Sequence, residues 1–164
     1  MTGFGGRTPT HLGPRDGRRL WWGSILVTFK VVGTDSGGAI TVMEDLVAPR
    51  AATPLHLHAR EDESAYVAEG RLLFEVGEER FEATTGSHVH MPRGLPHRFT
   101  NLGDAPARML VSFDPAGIEE MFFRMGRPVE DPARPPGPPG PEEMARMAAI
   151  ARDFGVTILP PPQG

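Results

Sequence analysis

The sequence predicts an all-β sandwich or barrel, with one short helix after it and a second near the C-terminus. Three observations carry that expectation. From Pro54 to Phe113, short apolar stretches recur roughly every 8–12 residues between turn signals. No segment in that stretch holds a helical period over three turns. The 164 residues include 20 glycines and 18 prolines, too many for a helix bundle and suited to short strands and tight turns. One domain is expected at this length, large enough to bury a core without staples.

Residues 1–19 mix Gly, Arg, Pro and Thr with no apolar period and read as a flexible arm. The domain proper is expected over 20–126. Ile25–Val32 and Ala39–Val47 are rich in Val, Ile, Phe and Thr and flank the cluster Gly33–Gly38, giving strand, turn, strand. Further turns fall at Glu69-Gly70, Gly77-Glu78, Thr85-Gly86, Pro92-Arg93-Gly94 and Gly103-Asp104. A helix should then start with Asp114 as N-cap and Pro115 at its first position. Its apolar stripe is Ile118, Met121, Phe122 and Met125, and Gly126 stops it. Residues 127–141 form a proline-rich, stiff tether. The unit 142–164 opens with a helix over Glu142–Phe154, ended by Gly155. Met144, Met147, Ala148 and Ala151 share one face, expected to dock on the β-core or on a second subunit.

Composition removes several classes. There is no cysteine, which excludes a disulfide scaffold, a Cys-ligated zinc site, an iron–sulfur cluster and a thiol nucleophile. The net charge of -4 argues against a nucleic-acid partner. No apolar run approaches the ~20 residues of a membrane span. The first residues lack the apolar core of a signal peptide, so the expected compartment is the cytoplasm.

All histidines but His11 lie between residues 56 and 97, where strands dominate. In His56-Leu57-His58 the two imidazoles fall on one side of an extended chain. Glu63 follows shortly after, and His97 follows the turn Pro92–Pro96. Three neutral imidazoles and a carboxylate suit a first-row divalent metal: iron, nickel, cobalt, manganese, copper or zinc. Taken singly, a strand histidine is more often a satisfied surface or core residue, and Glu61 and Asp62 read as a solvated loop.

The joint spacing resembles a known family. His56-x-His58-x4-Glu63-x6-Gly70 is similar to the first cupin motif from its first histidine to its last glycine. Gly86-x5-Pro92-x-Gly94-x2-His97-x3-Asn101 is similar to the second motif at every fixed position. One departure is Arg50, where the first motif usually opens with glycine. The resemblance implies a double-stranded β-helix, a small jelly-roll barrel. It also implies that His56, His58, Glu63 and His97 bind one divalent metal inside it. His88 and His90 occupy free positions of the second motif. A second metal site there is the weaker reading; an outer-sphere hydrogen bond from His90 is the stronger.

Such a centre leaves room for water, dioxygen or a substrate oxygen. By strand parity Phe99 shares the face of His97, and Ala65 and Val67 share that of Glu63. Phe29, Met43, Phe74, Phe113 and Trp22 are further pocket candidates, and the other reading of all these side chains is ordinary barrel core. Arg60–Glu63, Pro92–His97 and Pro115–Phe122 resemble single-domain proteins of the quercetin 2,3-dioxygenase-like group. That resemblance implies a dioxygenase acting on a small enolisable or phenolic molecule, with Glu63 as base. The alternatives are non-redox isomerase, cyclase or lyase chemistry on an enolisable carbonyl, and a ligand-binding or sensor module. The family also implies a homodimer, for which Leu20-Trp21-Trp22 could supply an exchanged arm.

Overall fold

The computed structural model describes residues 9–160, so residues 1–8 of the predicted arm and 161–164 of the tail lie outside the description. Two antiparallel sheets face each other. One has six strands in the order β1 (Arg19–Trp22), β2 (Ile25–Val31), β3 (Thr41–Val47), β10 (Ala107–Asp114), β5 (Asp62–Glu69) and β8 (His88–Met91). The other has five, in the order β11 (Val156–Ile158), β4 (His56–His58), β9 (His97–Asn101), β6 (Arg71–Val76) and β7 (Glu79–Thr84). The jumps from β3 to β10 and from β4 to β9 give the crossed topology of a jelly roll, as expected.

Strict alternation builds the core between the sheets. Ala107, Met109, Val111 and Phe113 of β10 point inward, while Arg108 and Leu110 point out. Leu72, Phe74 and Val76 of β6 and Val89 and Met91 of β8 do the same. Burial of each large apolar side chain contributes about 1.5–3 kcal/mol. Asn101 is fully buried and fully paired: its amide donates to the carbonyls of Val47, Ala48 and Ala105 at 2.9–3.1 Å and accepts from the N–H of Gly103 at 2.8 Å. The second motif's asparagine thus ties β9 to the loops at one barrel end.

Two motif positions depend on backbone conformation. Gly70 sits at φ +94°, and a Cβ there would meet the Cβ of Ala107 at 2.8 Å, so glycine is required. Arg50 takes the left-handed conformation, φ +62°, that glycine would adopt at that place. The departure from the motif therefore leaves the turn intact, with Arg50 paired to Asp104 at 2.5 Å across an exposed surface.

Several expectations need correction. The Gly33–Gly38 cluster contains a helical turn, α1 (Gly33–Ser36), closed by Gly37 at φ +67°. Residues 13–18 of the predicted arm are held in place. Lys30 Nζ donates to the carbonyl of Asp16 at 2.9 Å, and the N–H of Phe29 donates to that of Arg18 at 2.9 Å. Leu20 and Trp21 are buried, and β1 pairs with β2.

The helix after the barrel, α2 (Glu119–Met125), begins later than predicted, because Asp114 and its backbone still belong to β10. Glu119 organises the new start. Its carboxylate accepts N–H bonds from Gly33 and Gly117, both at 2.7 Å, and the Thr41 hydroxyl at 2.5 Å. Gly126 ends α2 as expected. Arg127 pins the proline-rich stretch, donating its N–H to Trp21 and its guanidinium to Gly137 and Glu143.

The last helix, α3 (Pro141–Asp153), packs on its own chain. Ala151, Met147, Ile150 and Phe154 meet the core, whereas Met144 is exposed and leaves the predicted face. The strand β11, which follows Gly155, was not anticipated.

Candidate metal centre

Each of the four motif residues reaches the centre through its strand. His56 and His58 are the first and third residues of β4, so their side chains share the inner face. His97 begins β9 and lies opposite His56 in register. Glu63 comes from the other sheet, where β5 alternates Glu63, Ala65 and Val67 inward. All four are buried, and one ligand atom from each lies within 4.8 Å of all the others. Metal bonds of about 2.0–2.2 Å hold donor atoms ~3–4 Å apart, so the cluster matches the dimensions of one ion.

The imidazoles are preset for that role. His56 Nδ1–H donates to the Pro54 carbonyl and His97 Nδ1–H to that of Leu95, each at 2.9 Å. Those bonds fix the tautomer and turn Nε2 inward. His58 Nδ1 faces Glu61 Oε2 at 3.6 Å, and neither atom has a hydrogen-bond partner. Glu61 is buried, contrary to its reading as solvated loop. Its signal in the sequence was weak, because a charged run normally faces water. His58 Nε2 is also unpartnered and lies 3.5 Å from Glu63 Oε2. An ion at the centre would satisfy it, so the residues present fit a divalent metal on both donor chemistry and orphaned atoms.

Electrostatics agree. Burial pulls the His56 imidazole down to about 4, helped by His97, so it stays neutral. Burial would raise Glu63, but the His97 hydrogen bond at 3.1 Å and the three imidazoles outweigh it and hold the group as a carboxylate. Burial likewise opposes a charge on His97, yet Glu63 raises its pKa. A bound cation would take the place of the proton shared between His97 Nε2 and Glu63.

A cavity adjoins the cluster. His56, His58 and Glu63 line it, and so do Phe99, Met43, Phe113 and Trp22 of the predicted set. Ala65, Val67, Phe29 and Phe74 do not. Ala65 and Val67 share the inner face with Glu63 but lie deeper, in the packed core with Phe74. Phe29 packs on Phe122 and Phe123. The free space is small, about 30 Å³, enough for one or two waters beside an ion. The walls that close it were not foreseen: Met121 and Met125 from α2, Ala151 from α3, and Val156 and Ile158 from β11. Asp45 also lines it. The alternation Thr41, Met43, Asp45, Val47 in β3 carried that signal.

His88 and His90 stand apart. Both are on the outer face of β8, because Val89 and Met91 take the inner one. His90 Nδ1 contacts Ser64 Oγ at 3.2 Å, so the outer-sphere partners of the centre are Pro54, Leu95 and Glu61 instead.

The fold and the site define a small antiparallel barrel protein with a buried cluster of three histidines and one carboxylate. Residues 43–113 match the cupin domain family. Over 114 residues the chain is 32% identical to tetracenomycin polyketide synthase protein TcmJ of Streptomyces glaucescens, covering 68% of this chain and 73% of that one. Over 154 residues it is 25% identical to quercetin 2,3-dioxygenase of Bacillus subtilis, covering 93% of this chain. The chain spans 45% to 65% of the length of two curated relatives it matches, the dioxygenase being the longer. Among solved structures, KdgF from Halomonas sp. superposes with a TM-score of 0.62 at 16% identity, over 69% of this chain and 99% of that one. The chain is a member of the cupin family.

Proposed function

We propose that this protein is a metal-dependent cupin enzyme that acts as a dioxygenase on a small enolisable or phenolic compound. The observation that carries the reading is the buried His56, His58, Glu63, His97 cluster opening into an apolar cavity. The match to a quercetin 2,3-dioxygenase along 93% of the chain supports the reaction class. The metal would be iron, nickel, cobalt, manganese, copper or zinc; when bound, it supplies Lewis acidity and, if redox-active, electrons for dioxygen. The chain supplies the rest. Glu63, held ionised, accepts the proton of a substrate hydroxyl or enol. His56 and His97 keep their orientation through Pro54 and Leu95, and Glu61 lies beside His58. Phe99, Phe113 and Met43 supply the apolar wall that a substrate would meet.

Elemental analysis of protein purified without added metal, followed by oxygen-electrode assays with flavonols and 1,3-diketones, tests the reading. About one equivalent of metal with oxygen uptake is expected, and Glu63→Gln should bind metal yet lose at least ~100-fold in turnover. Full turnover in that variant removes the base role.

A second reading is non-redox isomerase, cyclase or lyase chemistry at an enolisable carbonyl, in keeping with a relative named as a polyketide synthase protein. Metal-dependent turnover without oxygen uptake selects it. A homodimer belongs to the same proposal, and a particle of monomer mass at every concentration in light scattering removes it.

A further inference from the structure

Among the described residues, the buried side-chain polar atoms without a hydrogen-bond partner are Trp22 Nε1, Asp45 Oδ1, Glu61 Oε2 and both nitrogens of His58. Those of His58 and Glu61 belong to the metal centre. The other two sit on different strands, β1 and β3, and line the same cavity. Burying such atoms unpaired is costly, and a native structure that keeps them calls for a partner. Around them the walls are apolar: Met43, Phe99, Phe113 and Phe122. A few polar groups converging in an apolar cavity is the pattern of a small-molecule site.

We propose that Asp45 and the indole N–H of Trp22 anchor the substrate, taking an oxygen remote from the one at the metal centre. This deepens the metal-dependent reading above and rests on it for the position of the first oxygen.

The chemistry of the two groups narrows the ligand. Trp22 Nε1 only donates, so the substrate presents an acceptor oxygen. Asp45 is 2% exposed, and burial, then Glu63 and Glu44, push its carboxyl well above the usual range. Its unpartnered Oδ1 is an oxygen that accepts from a hydroxyl. A hydroxyl satisfies both groups, accepting from Trp22 and donating to Asp45, whereas a carboxylate or phosphate would face Glu63 across an apolar cavity. The inferred class is a neutral phenol or hydroxy-carbonyl compound with two oxygens separated by an apolar ring. Met43, Met121 and Met125 are the wall residues able to shift for it.

Phenol and resorcinol, which differ by the second hydroxyl, probe the idea. Their affinities are measured by calorimetry on metal-loaded and metal-free wild type, Asp45→Leu and Trp22→Phe. Wild type should prefer resorcinol by about tenfold, the worth of one buried hydrogen bond. Asp45→Leu should cut that preference below about twofold with phenol unchanged, and Trp22→Phe should lower it several-fold. Trp22→Phe retains an aromatic ring and decides the matter if Asp45→Leu does not fold. Equal affinities in wild type, no measurable binding of either probe, or a preference that survives both substitutions overturns the proposal. A preference kept by protein that binds no metal leaves the anchors standing and removes the metal reading. Metal binding without any preference does the reverse.

Discussion

Val156 lies opposite His58 in an antiparallel strand pair, so the last strand of the chain holds the strand that carries two of the four candidate ligands. The pairing is extended by Ala59 N–H to the Gly155 carbonyl at 2.9 Å and Leu159 N–H to that of Leu55 at 2.8 Å. Removing residues 155–164 should therefore leave the barrel's β-sheet circular dichroism in place but weaken metal binding at least tenfold in chelator competition. Unchanged affinity would show that β4 is fixed by β9 alone.

Glu61 faces His58 Nδ1 from a buried position. Outer-sphere carboxylates of this kind are worth about 10–100-fold in metal affinity. Glu61→Ala should lose affinity in that range while the metal-free protein keeps its melting temperature within a few degrees. A loss of stability without a change in affinity would make Glu61 a structural residue only.

Glu119 joins α2 to β3 and to the turn α1 through its contacts with Thr41, Gly33 and Gly117. Burial works against its charge, but those hydrogen bonds win and lower its pKa below the usual value. A carboxylate whose pKa falls on folding adds stability that is present above the unfolded value and is lost as pH falls through the folded one. Glu119→Gln should thus cost about 1–3 kcal/mol at pH 7 and progressively less below pH ~4 in urea melts. An equal gap between the two proteins across that range would exclude the charge as its source.

Arg50 holds a left-handed conformation at an exposed turn. Glycine tolerates that conformation freely, while Cβ-bearing residues pay roughly 1–2 kcal/mol. The exposed pair with Asp104 contributes little. Arg50→Gly should raise stability by about 0.5–1 kcal/mol, and Arg50→Val should lower it. Destabilisation by the glycine would mean that the Asp104 pair matters more than its exposure suggests.

Much of this molecule could be read along the chain. The turns between Glu69 and Asp104 fall where Gly, Pro and Asp interrupt a two-residue alternation. That alternation is a property of neighbouring residues. The same reasoning put His56 and His58 on one side of a strand, and the resemblance to the two cupin motifs joined Glu63 and His97 to them. The helix start after Asp114 failed because a good N-cap residue was claimed by the pairing of β10 with β5. Buried Glu61 escaped notice because its charge argues for water until the fold supplies His58 beside it.

The sequence by itself determined an all-β fold, its turns and the His56-Leu57-His58 pair, since each follows from periodicity or spacing within short stretches, and the motif resemblance added Glu63 and His97 as candidate ligands. Only the tertiary structure decided how the cavity is closed and which polar groups it keeps. Val156 and Ile158 pair with β4, and Met121, Met125, Asp45 and Trp22 line the cavity together. Those contacts join residues far apart along the chain, and no local pattern encodes a pairing whose partner is chosen by the packing of the whole barrel.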